Sequence, residues 1–280
     1  MIKVLPKLRE MIWGSYELGK LFGTDKKIGE VWLLSGHPMF VTELEDGRDV
    51  NSTMEEIIGR RYPRFPLLVK IISSSQWLSV QVHPNDEEAL ALETNEPWGK
   101  TEGWFFLKES EVAIGEDDER VKKAIETSNW NDALTFFKPS PKSFLFLPAG
   151  TVHALGPDSF LIEVQESSDL TYRIHDWGRG RKLHLDKALK VIRKVNIKDI
   201  YHENVKRFDC EHFRIRLMKN EISEGFSVLI TLESGRINGK GVGKYETFMV
   251  PVGEKVEIEC KVLEVKLGEF FLKYQSGDRS

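Results

Sequence analysis

Apolar and polar residues alternate along most of this chain with the period of two that half-buried strands require. The runs 30-EVWLLS-35, 38-PMFVTEL-44, 67-LLVKIISS-74, 77-WLSVQVH-83, 103-GWFFLK-108 and 111-EVAIG-115 read as strands in the first half. The runs 143-SFLFLP-148, 160-FLIEVQE-166, 212-HFRIRLMKN-220, 226-FSVLITLES-234, 244-KYETFMVPV-252 and 255-KVEIECKVLEVKL-267 follow. Gly, Pro, Asn and Asp punctuate them, as turns do. So dense a series of short β-rich runs predicts a mostly β fold built as a sandwich or barrel.

Helical spacing is confined to three places. The segment 53-TMEEIIGRR-61 predicts a short helix. Between 116 and 137, Val121, Ala124 and Ile125 share one face, Ala133, Leu134 and Phe137 form a second set, and Pro139 and Pro141 close the stretch. This predicts a small helical insertion near 116–138. The third segment, 184-HLDKALKVIRKV-195, puts Leu185, Ala188, Leu189 and Ile192 on one face and reads as a connector. The expected division is a β unit over 1–185, a connecting helix over 186–199 and a second β unit over 200–280. A short internal echo agrees with it. Both 148-PAGTVH-153 and 251-PVGEKV-256 have a P-x-G turn entered from an apolar strand. The sixth residue is His153 in the first and Val256 in the second, pointing to two related units of which only the first keeps a ligand.

Composition narrows the function classes. The chain has 280 residues, 40% hydrophobic and 30% charged, with a formal net charge of −4 and scattered basic residues. Neither a nucleic-acid footprint nor an apolar run near the roughly 18 residues of a membrane span is present. The first residues, MIKVLPKLREMIWG, interleave charge with apolar positions and lack the apolar core of a signal peptide. Cys210 and Cys260 have no CxxC partner, so a reduced, cytoplasmic setting is expected.

Candidate chemistry gathers on three strands. In 78-LSVQVHPND-86 the polar side of the alternation is Ser79, Gln81 and His83, an unusual set for a wet face. His153 ends the P-x-G-x-x-H turn, which resembles the second signature of the cupin superfamily, where the histidine binds a metal inside a small barrel. Glu102 lies among Trp98, Trp104, Phe105 and Phe106, and a carboxylate between apolar walls must be paired or coordinated. Two imidazoles, a carboxylate and an amide oxygen without thiolate suit Zn²⁺, and less selectively Fe²⁺, Mn²⁺ or Co²⁺. The competing reading pairs Glu102 with a nearby lysine. A further polar and aromatic run, 163-EVQESSDLTYRIHDWGR-179, reads as a pocket rim or as an ion-pair loop between the two halves.

Taken in order, 13-WGSYEL-18, 29-GEVWLLSGH-37, Lys70, 78-LSVQVHP-84, 99-GKTE-102, 147-LPAGTVHAL-155 and 163-EVQESSDLTYRIHDWGR-179 resemble the type I mannose-6-phosphate isomerases, specifically their short bacterial form. Ser15 replaces a usual glycine of that family, and Arg179 stands where the larger enzymes have lysine. The resemblance implies a pair of cupin-like, jelly-roll β barrels. It implies one zinc ion per chain on Gln81, His83, Glu102 and His153, with a carboxamide the weakest of the four ligands. It places Arg173, Glu163 and Lys100 in catalysis, and Lys70, Ser79, Lys100 and Arg179 on the sugar or its phosphate. The implied reaction interconverts mannose 6-phosphate and fructose 6-phosphate through a cis-enediol. Either Glu163 as carboxylate base or Lys100 as a proton carrier between oxygens fits the residues. An isomerase of another or unphosphorylated aldose, an Fe(II) oxygenase and a non-catalytic sugar-binding protein remain as alternatives, and monomer and homodimer are both open.

Overall fold

In the computed structural model, which describes residues 1–274, four antiparallel sheets stack as open layers. The order of layers follows from what each face buries. A seven-stranded sheet runs Tyr201–His202, Phe144–Leu147, Glu102–Phe106, Ser159–Glu166, Leu67–Ser74, Ile28–Leu34 and Lys7–Ser15. Its strands Ile28–Leu34, Leu67–Ser74 and Ser159–Glu166 are buried along their whole length. A strand covered on both faces loses the simple apolar–polar alternation, which is why these runs look continuously apolar in sequence.

The period of two still sorts their side chains. Val31, Val69, Ile71, Phe105, Ile162 and Val164 join one core with Val228, Ile230, Met249 and Val265 of a second seven-stranded sheet. The alternate set, Ile72, Trp104, Phe106 and Leu161, joins another core with Val112, Ile114 and Leu155. Those last residues belong to a five-stranded sheet of Tyr172–His175, Val80–Val82, Val152–Leu155, Val112–Gly115 and Thr135–Phe137. Lys70, Glu102, Glu163 and Gln165 share strand parity with that alternate set, so the same pleat turns them toward the five-stranded sheet.

The outer face of the five-stranded sheet packs Val80, Val82, Val152 and Ala154 against Val121, Ala124, Ala188 and Val191 of the helices Asp118–Thr127 and Leu185–Val191. Asp117 caps the first of these by accepting from the Glu119 and Arg120 amides, an arrangement worth about 1 kcal/mol. On the far side of the molecule, Leu229, Phe248 and Val250 pack onto Ile237, Val256 and Ile258 of a four-stranded sheet.

Several expected elements differ in extent. The insertion is helical only to Thr127, because Ser128 adopts a left-handed conformation, φ 61°, that ends the helix. Ala133 and Leu134 then form a turn, and Phe137 ends the strand Thr135–Phe137. Its Phe136 sits opposite Ala113, as an aromatic, β-favouring triplet at a sheet edge allows. Of 38–44, only Glu43–Leu44 is strand, since Phe40 closes a turn onto the His37 carbonyl. A helix absent from the sequence reading spans Asp86–Leu92 and starts at a capping box between Asn85 and Glu88.

The expected division into 1–185 and 200–280 is crossed by backbone pairing in both directions. Ile2–Leu5 pairs with Thr247–Val250, and Tyr201–His202 pairs with Phe144–Leu147. The turn echo has a structural counterpart. Gly150 and Gly253 take φ of 91° and 83°, and the following amide donates to the proline carbonyl at 3.1 Å in one and 3.2 Å in the other.

Candidate active site

The chemistry lies between the larger and smaller sheets of the first two layers. On the five-stranded sheet, Gln81 pairs with His153 across adjacent strands, and Arg173 flanks Gln81 on its other side. On the seven-stranded sheet, Gln165 sits opposite Glu102 and Lys70 opposite Glu163. The P-x-G turn ties the two histidines together, because the Gly150 amide donates to the His83 carbonyl at 2.9 Å. Only glycine serves there: a Cβ would fall 2.8 Å from the Val191 carbonyl oxygen.

His83, Glu102 and His153 converge, with donor atoms all within 4.8 Å of one another. Nε2 of His83 and of His153 stand 3.6 and 3.2 Å from Glu102 Oε1. Each ring directs Nδ1 to a carbonyl, His83 to Leu170 at 2.7 Å and His153 to Thr151 at 2.9 Å. Donation through Nδ1 fixes the tautomer and leaves the Nε2 lone pairs facing Glu102. Burial, then the positive charge of Lys100, push the His83 imidazole down to about 3, which keeps it neutral. Burial opposes the charge of Glu102, but Lys100 and the His83 ring hold its carboxyl well below the usual range.

Glu102 is fully buried, and neither of its oxygens has an aligned hydrogen-bond donor among the described residues, although Lys100 Nζ is 2.8 Å from Oε2. The lysine pairing anticipated as the rival reading therefore coexists with the imidazoles. An ionised carboxylate with unfilled acceptor capacity, facing the Nε2 atoms of two imidazoles, fits a divalent cation. Gln81 adjoins the cluster, with Nε2 3.2 Å from His153 Nε2 and Oε1 accepting from Ser79 at 3.3 Å. Turning the carboxamide over would offer its oxygen to the same space.

Beside this cluster opens a cavity of about 220 Å³, lined among others by Lys70, Ser79, Gln81, Lys100, Glu163 and Arg173. Lys70 Nζ donates to Glu163 Oε1 at 2.9 Å and to Gln165 Oε1 at 2.8 Å, and Trp104 Nε1 donates to Glu163 Oε2 at 2.9 Å. Burial opposes the charge on Lys70, yet Glu163, Glu30 and Asp169 outweigh it and hold the amine above its ordinary range. Burial, then the Glu102 charge, raise the Glu163 carboxyl against the pull of Lys70 and Lys100. Such a carboxyl is a better proton acceptor than a solvated one. A larger surface hollow of about 630 Å³, between Glu116 and Thr135, contains none of the anticipated site residues.

Sequence comparison places these residues in a family. The family model of the phosphomannose isomerase type I catalytic domain matches residues 1–102. The mannose-6-phosphate isomerase ManA of Bacillus subtilis is 33% identical over 241 residues, covering 75% of this chain and 76% of that protein. This chain belongs to the type I phosphomannose isomerases. GmuF of the same bacterium, named a probable mannose-6-phosphate isomerase, is 29% identical over 96% of this chain and 94% of its own. The crystal structure of the Bacillus subtilis mannose 6-phosphate isomerase shares the fold, with a TM-score of 0.84 at 24% identity, covering 95% of this chain and 99% of that one.

Within this phosphomannose isomerase chain, two expectations about side chains shift. Leu78, which strict alternation would place on the same strand face as Val80 and Val82, joins the inner core and lines the cavity, because the regular pleat extends only over Val80–Val82. Arg179 lies outside the cavity lining, since its guanidinium donates to the Trp77 carbonyl at 2.7 Å and to Asp176 Oδ1 at 2.8 Å. Arg181 lines the cavity in its stead, together with Arg9, Glu30 and Asp169, none of which the sequence reading singled out. Arg9 Nη1 lies 3.2 Å from Glu30 and 3.5 Å from Asp169. Glu30 did carry a signal, being a lone charge in the apolar run 28-IGEVWLL-34, as Glu102 is in its own strand. Arg9 carried none, because 7-KLREMIW-13 looks like an ordinary half-exposed strand.

Proposed function

We propose that this chain interconverts mannose 6-phosphate and fructose 6-phosphate as a metal-dependent aldose–ketose isomerase working through a cis-enediol. The observation that carries the proposal is a cavity where a buried carboxylate, Glu163, and the cations Lys100 and Arg173 line the wall together with Gln81, a neighbour of the buried His83–Glu102–His153 cluster. His83, Glu102 and His153, with Gln81 as a fourth, are the residues that would hold the metal, Zn²⁺ by donor chemistry, with Fe²⁺, Mn²⁺ or Co²⁺ as substitutes. Such an ion, when bound, supplies Lewis-acid polarisation of sugar oxygens.

The chain's own groups do the rest. Glu163, whose raised proton affinity suits the task, takes the proton from C2 and returns it at C1. Arg173 sets a fixed positive charge beside the oxygen that gains charge as the enediol forms. Lys100 carries protons between the two sugar oxygens. Ser79 meets a hydroxyl. Lys70 acts less on phosphate than on Glu163, since its nitrogen is already engaged by Glu163 and Gln165. The phosphate falls instead to Arg9 and Arg181 at the cavity wall, whose ion pairs with Glu30 and Asp169 and with Asp176 are more exposed than the buried Lys70–Glu163 pair and can open to it. Two cupin-like units, the second stripped of ligands, and a cytoplasmic setting for the two free thiols belong to the same reading.

The test is kcat/KM on mannose 6-phosphate, glucose 6-phosphate and free mannose with metal-loaded protein. Mannose 6-phosphate is expected to exceed both others by at least about a hundredfold, the effect of leaving buried polar partners unmatched. Comparable values on free mannose would overturn the phosphate assignment, and no ketose from any of the three would overturn the isomerase itself.

A further inference from the structure

We propose that His212, in the bend that leads into the strand Phe213–Met218 of the second seven-stranded sheet, is a positioning residue that sets Lys100 and Glu102 in the active site. The inference rests on the isomerase reading above for its kinetic part and on geometry alone for its metal part.

The segment 99-GKTE-102 is held at successive backbone amides. Gly99 N donates to Asp86 Oδ1 at 2.8 Å, Lys100 N to the Pro84 carbonyl at 2.9 Å and Thr101 N to Glu166 Oε2 at 2.7 Å. The chain approaches so closely that a Cβ at Gly99 would fall 2.4 Å from the Pro84 oxygen. Two of the three acceptors are side-chain carboxyl oxygens, Asp86 Oδ1 and Glu166 Oε2, held by their own neighbours rather than by the backbone of this segment. The directions of Lys100 and Glu102 therefore depend on Asp86 and Glu166 staying where they are.

Those two carboxylates converge on one imidazole. His212 Nε2 is 3.7 Å from Asp86 Oδ2 and 3.5 Å from Glu166 Oε1. Its ring lies against Phe270 with centroids 5.0 Å apart, and its carbonyl accepts from Gly268 N at 2.9 Å, so the second sheet and the helix Glu269–Lys273 fix it. Burial pushes the Glu166 carboxyl up to about 8, His212 pulls against that shift and Asp86 adds to it. Without the imidazole the two acids would face each other with less compensation. Losing the partner that both face, one or both would move, and the amide of Gly99 or Thr101 would lose its acceptor. Through that route a residue of the unit that carries no ligands reaches the Glu102 carboxylate.

The variants His212→Gln and His212→Lys test this, with Asp86→Asn/His212→Gln as a compensating pair. His212→Gln is expected to remain folded by near-ultraviolet circular dichroism and cooperative urea unfolding. It should release Zn²⁺ to a competing chelator at least about tenfold more readily and lose at least about tenfold in kcat with KM changed less than about twofold. His212→Lys, which returns a cation, and the double variant, which removes the facing charge while keeping an acceptor for Gly99 N, should each recover part of both losses. Lowered stability with unchanged Zn²⁺ affinity and kcat would overturn the proposal, as would failure of both compensating variants to recover either quantity. A second ion per chain, lost in His212→Gln while the first is retained, would overturn it too. Zn²⁺ affinity is read without turnover. A wild-type chain that isomerises nothing, with a variant that still loses Zn²⁺, would refute the isomerase reading and leave the positioning role standing.

Discussion

Glu163 and Glu102 are both buried carboxylates within one cavity region, and their neighbours push them in opposite directions. Glu102 faces Lys100 and two imidazoles and is held ionised, whereas burial and the Glu102 charge raise Glu163. On the function proposed above, separating two acids in this way suits one to holding charge and the other to proton transfer. Glu163→Gln keeps the acceptor oxygen for Lys70 or Trp104 but removes the base. It is expected to lower kcat by about 10²–10⁴-fold while metal content stays at the wild-type value. Turnover within a few-fold of wild type would take Glu163 off the list of proton carriers. At this scale the sequence was informative wherever a polar residue broke an apolar run: Gln81, His83, Glu102 and Glu163 all stood out. Arg181 and Arg9 did not, because an arginine beside other charges has no local peculiarity.

The turn that carries His153 shows what an element adds to its residues. Gly150 combines φ of 91° with close neighbours on both the Arg193 side chain and the Val191 carbonyl. Gly253, its counterpart in the other P-x-G turn, has φ of 83° with nothing within 4 Å. Gly253→Ala therefore meets only backbone strain, about 1 kcal/mol, while Gly150→Ala meets strain and collision together, about 2–4 kcal/mol. Urea midpoints should rank the two in that order. Zn²⁺ affinity should fall only for Gly150→Ala, because that amide also holds His83. Equal losses of stability, or an unaltered affinity, would count against this account of the turn. Element types were largely legible in the chain, since alternation and turn residues mark strands directly. Their ends were not. The second half of the insertion had helical spacing, yet Ser128 stopped the helix and edge pairing to Val112–Gly115 turned 135–137 into strand.

Across the whole molecule, the candidate ligands are scattered over more than seventy positions, from Gln81 to His153, and only the stacking of two sheets brings them within reach. Removing the metal with a chelator is expected to abolish isomerisation, and adding Zn²⁺ should restore it. Full activity in rigorously metal-free protein would sink the metal reading. The N-terminal strand Ile2–Leu5, which pairs with Thr247–Val250, and Tyr201–His202, which pairs with Phe144–Leu147, bind the two halves to each other through backbone hydrogen bonds. By itself the sequence determined that the protein is mostly β, where its strands lie, and which polar residues the pleat would place on one side, because period, turn chemistry and the cost of an unpaired buried charge are local matters. Only the tertiary structure decided which sheet each of those sides faces, that Arg181 rather than Arg179 reaches the cavity, and that His212 meets Asp86 and Glu166. Those outcomes depend on how layers stack and on which carbonyls and carboxylates already occupy a side chain, and neither is written in local spacing.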